Sequence, residues 1–593
     1  MYRMNRPRTR TAARQSLLAI AGIAAILAVV ACAPEPAPNP SASPVDTSPC
    51  AGPNGVGGAV ASGLGPGDLV SAVDLTPTNS SSPGFPTGAT VWRILYVTTG
   101  VDETDLQLVC GTVASPAAGP KLFGDTGRML NWAHGTVGIG QDCMPSSEPA
   151  QGFWGKMPGG INAIAWGTDL GKHEGDPADG LLQWAVDQGM VVSAADYQPD
   201  NTYVVGKMEA SAILDAARAA TQLMTTAFEA DAPDRYDAVI WGHSQGGHAA
   251  LWAGQLAETY LAGTTPSKPT ADFALVGVAA LAPASNFITQ PDQPGVSPGD
   301  GLADWEMHKN IGLDLPIKQV QMQIGPALFS YIFGSWDALG EGRPPAADAA
   351  FPAFPTSVPP VDLASIATAD PGAQTVKTVQ ALCLKQSQAK LVQAAVELYD
   401  DAATNQMLVP ELWNLPEPYT VGEFFKGGLD TTCATTEDAA LAAWCEWMVW
   451  NLPGPLGSNP YPKAPIVDSQ PVPLFIAQGT NDDIIHCQPP AGSTGVPDAA
   501  NCMSRALYDS LASGVYCPID QAAGYLGLVG VQQVGLDGIV SPATHFSIPG
   551  EISARAITED ARDLVFEGSP LQKFVSAAFD GALEPGCSVT ERG

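Results

Sequence analysis

Residues 242–246 read Gly-His-Ser-Gln-Gly, and they restrict the possible folds more than any other stretch of the chain. Before them, Tyr236 to Trp241 is a short apolar run suited to a buried parallel strand. After them, Ala249 to Leu261 has helical composition and no proline. A serine at such a strand-to-helix junction is forced into strained backbone angles, and its hydroxyl is lifted clear of the sheet edge. Gly242 and Gly246 leave room for that turn because neither carries a Cβ. The competing reading is a glycine-rich loop with an incidental serine, so the rest of the chain has to decide.

Strand and helix patterns alternate around this segment. Ala89 to Thr99 and Leu106 to Val113 read as antiparallel strands opening a sheet. Met129 to Trp132, Gly189 to Tyr197, Leu275 to Leu281, Pro473 to Gln478 and Val529 to Val534 read as further strands, the last of these ending the sheet. Ala210 to Phe228 reads as an amphipathic helix with Ile213, Ala217, Ala220, Met224 and Phe228 on one side. The class expected is α/β, with a mostly parallel central sheet flanked by helices.

Residues 288–465 break the rhythm with helical stretches at 374–402 and 436–451 and a proline-rich stretch at 344–361. This divides the chain into a first core part (67–287), an insertion (288–465) and a second core part (466–593). The insertion reads as a largely helical cap over the site. Its tryptophans, Trp336, Trp413, Trp444, Trp447 and Trp450, either wall a hydrophobic substrate pocket or fill the insertion's own core. For any one of them the core reading is preferred.

A serine nucleophile needs a base, and the base needs an orienting acid. In a strand–elbow–helix site they follow in the order Ser, Asp or Glu, His. Only His486 and His545 come late enough. The run Phe475 to Asp483 places carboxylates just after a strand; Asp482 is the chosen acid and Asp483 its alternative, with capping of the next turn as the competing role. His486 lies on the same connection, four residues past Asp482. His545 sits in a loop after the last strand and is the expected general base. His134, His243 and His248 precede the acid and read as structural. An oxyanion formed on Ser244 chemistry would need preplaced backbone donors. The amide of Gln245, at the start of the elbow helix, is one. The amide of Thr136, in His134-Gly135-Thr136 after an earlier strand, is the other; a plain glycine turn is the competing reading there.

Five arginines precede the apolar stretch Leu17 to Ala31, which is too short to span a membrane and fits a signal peptide over 1–31. Val29-Val30-Ala31-Cys32 resembles a lipobox, which implies acylation of Cys32; secretion after Ala31 with a free thiol is the alternative. Residues 32–66 are rich in Pro, Ala, Ser and Gly and read as an extended tether. Without Cys32, the 11 cysteines leave an even set that can pair in an oxidising space, and Cys433–Cys445 is one plausible pair. No two have C-x-x-C spacing, so neither a metal nor a cofactor is expected. A net charge of −33 repels nucleic acid and anionic lipid head groups. Membrane contact is therefore expected only through the N-terminal lipid, on the extracytoplasmic face.

Several ordered motifs together resemble the secretory lipase family, the lipase A-type secreted lipases and their actinobacterial lipoprotein-like relatives. They are VWRILYVTTGVDETDLQLVCGTVASP, WAHGTVGIGQDCMPS, YVVGKMEASAILDAARAA, GHSQGGHAALW and PLFIAQGTNDD, spread over about 67–290 and 465–565. The resemblance implies the α/β-hydrolase fold and a cofactor-independent serine hydrolase acting on hydrophobic acyl esters through an acyl-enzyme. By motif it implies Ser244 as nucleophile, Asp482 as acid and His545 as base. Acyl transfer, polyester cleavage and an aminopeptidase-like amidase would use the same triad. A non-catalytic surface-binding lipoprotein is the reading from another class, opposed by the intact order of Ser, Asp and His.

Overall fold

A computed structural model describes residues 50–51, 55–76, 86, 88–100, 105–139, 143–147, 181–197, 202–285, 331–332, 334–336, 447–468, 470–479, 485, 503–511, 532–534, 540–542 and 570–583. Among them, eight strands join in one sheet: β1 (Leu69–Asp74), β2 (Ala89–Thr99), β3 (Leu106–Pro116), β4 (Gly127–Ala133), β5 (Val191–Ala195), β6 (Arg235–His243), β7 (Asp272–Leu281) and β8 (Leu474–Ala477). Their spatial order is β1-β2-β3-β5-β4-β6-β7-β8. β1, β2 and β3 pair antiparallel, and β3 pairs antiparallel with β5. From β5 onward every pairing is parallel. The strands at the centre, Met129–Ala133 and Ala238–Trp241, are continuously buried, as a sheet covered on both faces requires.

The covering helices are α1 (Leu181–Asp187), α2 (Gly206–Phe228), α3 (Gln245–Gly263), α4 (Met503–Leu511) and α5 (Pro570–Phe579). Neighbouring residues of β7 show that α3 and α5 lie on opposite faces. A Cβ placed on Gly277 would meet Ala578 of α5 at 2.9 Å, whereas Val278 meets Gly254 of α3. On the α5 side, the rings of Phe475 and Phe574 lie 5.4 Å apart. The side chains of β2 divide in the same way. Tyr96 points to α2 and donates to the Ala212 carbonyl at 3.0 Å, while Leu95 and Val97 join Leu108 and Cys110 in a separate apolar cluster.

That cluster corrects the expectation of an extended tether reaching residue 66. Val56, Val60 and Leu64 pack against it, and Cys50 is disulfide-bonded to Cys110 on β3. Few apolar residues are needed there, because they only have to cover the outer face of two strands. Asp68 then closes the segment down, accepting from the amides of Gly65 at 2.8 Å and Lys268 at 2.9 Å. The edge strand β1 carries no strong alternation and its register shifts between Leu69 and Ser71, which is why it escapes a reading by pattern.

Two further differences concern the insertion and the last strand. Residues 447–465, assigned above to the cap, pack on α3. The amide of Gly454 donates to Gln255 Oε1 at 2.9 Å, and Gln255 Nε2 donates to the Pro462 carbonyl at 2.7 Å. Trp336, Trp447 and Trp450 are buried; Trp447 stacks on Trp450 at 5.3 Å, and Trp450 lies 5.4 Å from Trp252 of α3. These three rings fill a core, in line with the preferred reading of them, while Trp413 and Trp444 lie outside the described residues. Of Val529–Val534, expected to end the main sheet, the described residues Gln532–Val534 pair with Val540–Pro542 in a two-stranded ladder.

The Cys50–Cys110 bridge closes a separation of 60 residues. Replacing both cysteines by serine is expected to lower unfolding free energy by about 2–4 kcal/mol, measured by urea denaturation of oxidised protein.

Candidate active site

The chain turns from β6 into α3 through Ser244, which has φ 60° and ψ −120°. This left-handed region is costly for a residue with a side chain, on the order of 1–3 kcal/mol. Neighbouring backbone presses closely on the turn at both flanking glycines. A Cβ on Gly242 would overlap the carbonyl of Gly246, and one on Gly246 would overlap the carbonyl of Ala133 at the end of β4. The Ser244 amide donates to the Leu281 carbonyl at 2.9 Å, and its own carbonyl accepts the His248 amide at 3.1 Å as the first turn of α3. Ser244 remains half-buried while Gln245 is buried. Helix geometry leaves the first amides of α3 without intrahelical acceptors, and the helix dipole favours negative charge there.

The loop after β4 runs against this turn. A Cβ on Gly135 would lie 3.3 Å from the His243 carbonyl and 4.0 Å from Ser244 Cβ, so Thr136 begins next to the serine. Four contacts hold the loop. The Tyr197 hydroxyl donates to the His134 carbonyl at 2.8 Å. The His134 ring stacks on Tyr197 at 4.1 Å, and its Nδ1–H donates to the Gly135 carbonyl at 2.7 Å. Thr136 Oγ1 and the Tyr203 hydroxyl share a hydrogen bond of 2.7 Å. Burial lowers the His134 pKa to about 4, so its ring is neutral in the folded protein at neutral pH.

The parallel register aligns His243, Leu281 and Ala477 in one row across β6, β7 and β8. The connection after β8 therefore leaves the same sheet edge as Ser244, two strands or about 10 Å away. Gln478 clasps that connection: its Nε2 donates to the Ile485 carbonyl, and its Oε1 accepts the Ser504 amide of α4 at 3.0 Å. Asp482 and Asp483 belong to the clasped segment but lie outside the described residues, as do His486, His545 and Cys32. The structure thus brings Ser244, Gln245 and Thr136 together, and residue 478 sits at the start of the segment that carries the expected acid. Of the early histidines, His134 holds the loop, and His248 is fully buried between Glu209 and the Asn451 carbonyl. Tyr197, Tyr203, Glu209 and Gln478 were missed by sequence reasoning. Only Glu209 gave a usable signal, as a carboxylate in a helix flanked by small apolar residues.

A mostly parallel sheet covered by helices, with a strained serine elbow at the ends of its strands, is the α/β-hydrolase fold. The family model described as "Secretory lipase" matches residues 178–290, a segment that includes α2, the elbow and β7. Lipase 5 of Candida albicans is 31% identical over 99 residues, which are 16% of this chain and 21% of that protein. The chain thus aligns with about a fifth of the length of that curated relative. Among solved structures, Candida antarctica lipase A superposes with a TM-score of 0.47 at 17% identity, covering 89% of this chain and 85% of that one. The rice cell wall degrading esterase LipA from Xanthomonas oryzae gives 0.43 at 16% identity, covering 76% and 88%.

Two outcomes follow from this geometry. Gly246→Ala must displace either Ala133 or the elbow, so it is expected to lower the melting temperature, measured by thermal unfolding. His134 takes up its proton at about pH 4 when folded and near 6.5 when unfolded. Between those values the unfolded chain binds more protons, so this residue makes stability fall as pH drops through the window. The unfolding free energies at pH 7 and 4.5, measured by urea denaturation, should differ less in His134→Gln than in wild type, by on the order of 2–3 kcal/mol.

Proposed function

We propose that the chain is an exported serine hydrolase that cleaves carboxylic esters with hydrophobic acyl groups, a lipase or carboxylesterase. The observation that carries this reading is Ser244, held at φ 60° between β6 and α3 with the Gly135–Thr136 loop against it. The secretory lipase match over 178–290 supports an ester as substrate. In the reaction, Ser244 Oγ attacks the ester carbonyl carbon while His545 accepts the hydroxyl proton and Asp482 orients the imidazole. Negative charge gathers on the carbonyl oxygen, and the amides of Gln245 and Thr136 receive it. Preplaced donors are effective because they need no rearrangement as charge develops; losing one costs about 2.7–4 kcal/mol. His545 then protonates the leaving alcohol, and water releases the acid from the acyl-serine by the same steps in reverse.

The N-terminal signal sequence and the lipobox-like Val29–Cys32 support export followed by acylation of Cys32. The lipid would hold the enzyme at the outer face of the membrane, where a net charge of −33 keeps the body of the protein off anionic head groups.

Hydrolysis of p-nitrophenyl esters from acetate to palmitate tests the reading. Wild type is expected to turn over at least part of the series, with the chain-length optimum reporting the acyl pocket. Ser244→Ala is expected to lower kcat by about 10⁴-fold or more. Equal activity in the two proteins, or none on any ester in folded wild type, would contradict it.

A further inference from the structure

Resting on that reading of Ser244, we infer that Glu209 is a positioning residue that fixes both halves of the oxyanion hole. Glu209 lies in the first turn of α2, and its side chain is fully buried. A carboxylate withdrawn from water persists only where donors replace the water, and three do so here. Gln245 Nε2 donates to Oε1 at 2.7 Å, and the Val204 amide donates to the same oxygen at 2.8 Å. His248 Nδ1 donates to Oε2 at 3.2 Å.

Each donor belongs to a segment that carries an oxyanion amide or braces one. Gln245 supplies the first amide of α3, so tying down its side chain fixes the azimuth at which that helix begins. His248 lies one turn further along α3. Its Nε2 faces the Asn451 carbonyl at 3.1 Å, an oxygen that the Trp252 indole N–H also reaches at 3.1 Å, so the ring is held on both sides. Val204 has φ 54°, a conformation disfavoured for a β-branched residue, and the hydrogen bond its N–H donates to Glu209 helps to hold it there. The residue before it, Tyr203, reaches Thr136 Oγ1 through its hydroxyl at 2.7 Å. One carboxylate thus joins the Gln245 donor to the brace of the Thr136 donor. No substrate atom needs to touch Glu209 for it to matter, since a 1 Å misplacement of reacting groups can cost 10²-fold in rate.

The test compares wild type with Glu209→Ala, Glu209→Gln, Gln245→Ala and the Glu209→Ala/Gln245→Ala double variant. It uses p-nitrophenyl butyrate as substrate and 1,1,1-trifluoro-2-hexanone as an oxyanion probe. The ketone adds Ser244 Oγ to its carbonyl carbon; the carbonyl electron pair goes to oxygen and the serine proton to His545, so its affinity reports the hole. Glu209→Ala is expected to lower kcat about 100-fold and to weaken the ketone by a similar factor, with KM within about threefold of wild type. Glu209→Gln keeps an oxygen for Gln245 and Val204 and should stay within about tenfold of wild type. The double variant should be no worse than Glu209→Ala alone, because both changes cut one link.

A Glu209→Ala enzyme with kcat within threefold of wild type would overturn the inference. So would KM rising as much as ketone affinity falls, or Glu209→Gln failing as badly as Glu209→Ala. If Glu209→Ala does not fold, Gln245→Ala decides, since it retains the amide and loses only the anchor. A tenfold fall in both kcat and ketone affinity supports the role, and no change overturns it. Wild type inactive on the ester would overturn the hydrolase reading and this one with it; active wild type with an unaffected Glu209→Ala removes this one alone.

Discussion

The site depends on one unfavourable backbone conformation, the left-handed φ of Ser244, and on the packing that makes every alternative worse. Its cost is on the order of 1–3 kcal/mol, and the compensation is distributed over elements far apart in sequence. Gly246 sits against the Ala133 carbonyl of β4, and the serine amide is bonded to Leu281 of β7. The helix that follows packs on both strands. The elbow is therefore a property of the assembled sheet: pull β4 or β7 out of register and the serine loses its reason to point outward. The row His243, Leu281, Ala477 extends the same logic to the next connection, which is clasped by Gln478.

A second layer of constraint is polar and lies behind the first. α2 is buried through most of its length, yet it carries Glu209, Asp215 and Arg218 into the core. Asp215 accepts from Thr98 of β2 at 2.8 Å and Tyr260 of α3 at 2.5 Å, and Arg218 pairs with it at 3.3 Å. Burial outweighs these partners and raises the Asp215 pKa to about 6. Buried polar groups of this kind contribute little net stability but penalise any other packing of α2 against its neighbours. Glu209, six residues before Asp215, does the same at the end of the helix that faces the elbow.

What could be read from residues alone followed from periodicity and glycine sterics. The strands and helices bordering Ser244 emerged within a few residues of their ends, and Gly242 and Gly246 foretold the strained turn because the reason for them is local. Gln245 and Thr136 were placed by their sequence distance from strand ends, which the register preserves. Tertiary partners were not legible. Nothing in the sequence says that Glu209 meets Gln245, or that Tyr203 reaches Thr136. The stretch before residue 66 has a tether's composition, yet Cys50 pairs with a strand cysteine and three apolar side chains pack on the outer face of two strands. The core role preferred for the tryptophans at 447 and 450 agrees with their packing: Trp447 stacks on Trp450, which lies against Trp252, partners the sequence does not name.

The central claim is that Ser244 is an activated nucleophile, and covalent capture tests it most directly. Native protein would be treated with a fluorophosphonate, digested, and mapped by mass spectrometry, with urea-unfolded protein treated in parallel. The account predicts one phosphonyl adduct per native chain, on the peptide containing Ser244, and none after unfolding. An unlabelled native protein, or an adduct on another residue with Ser244 intact, would contradict it.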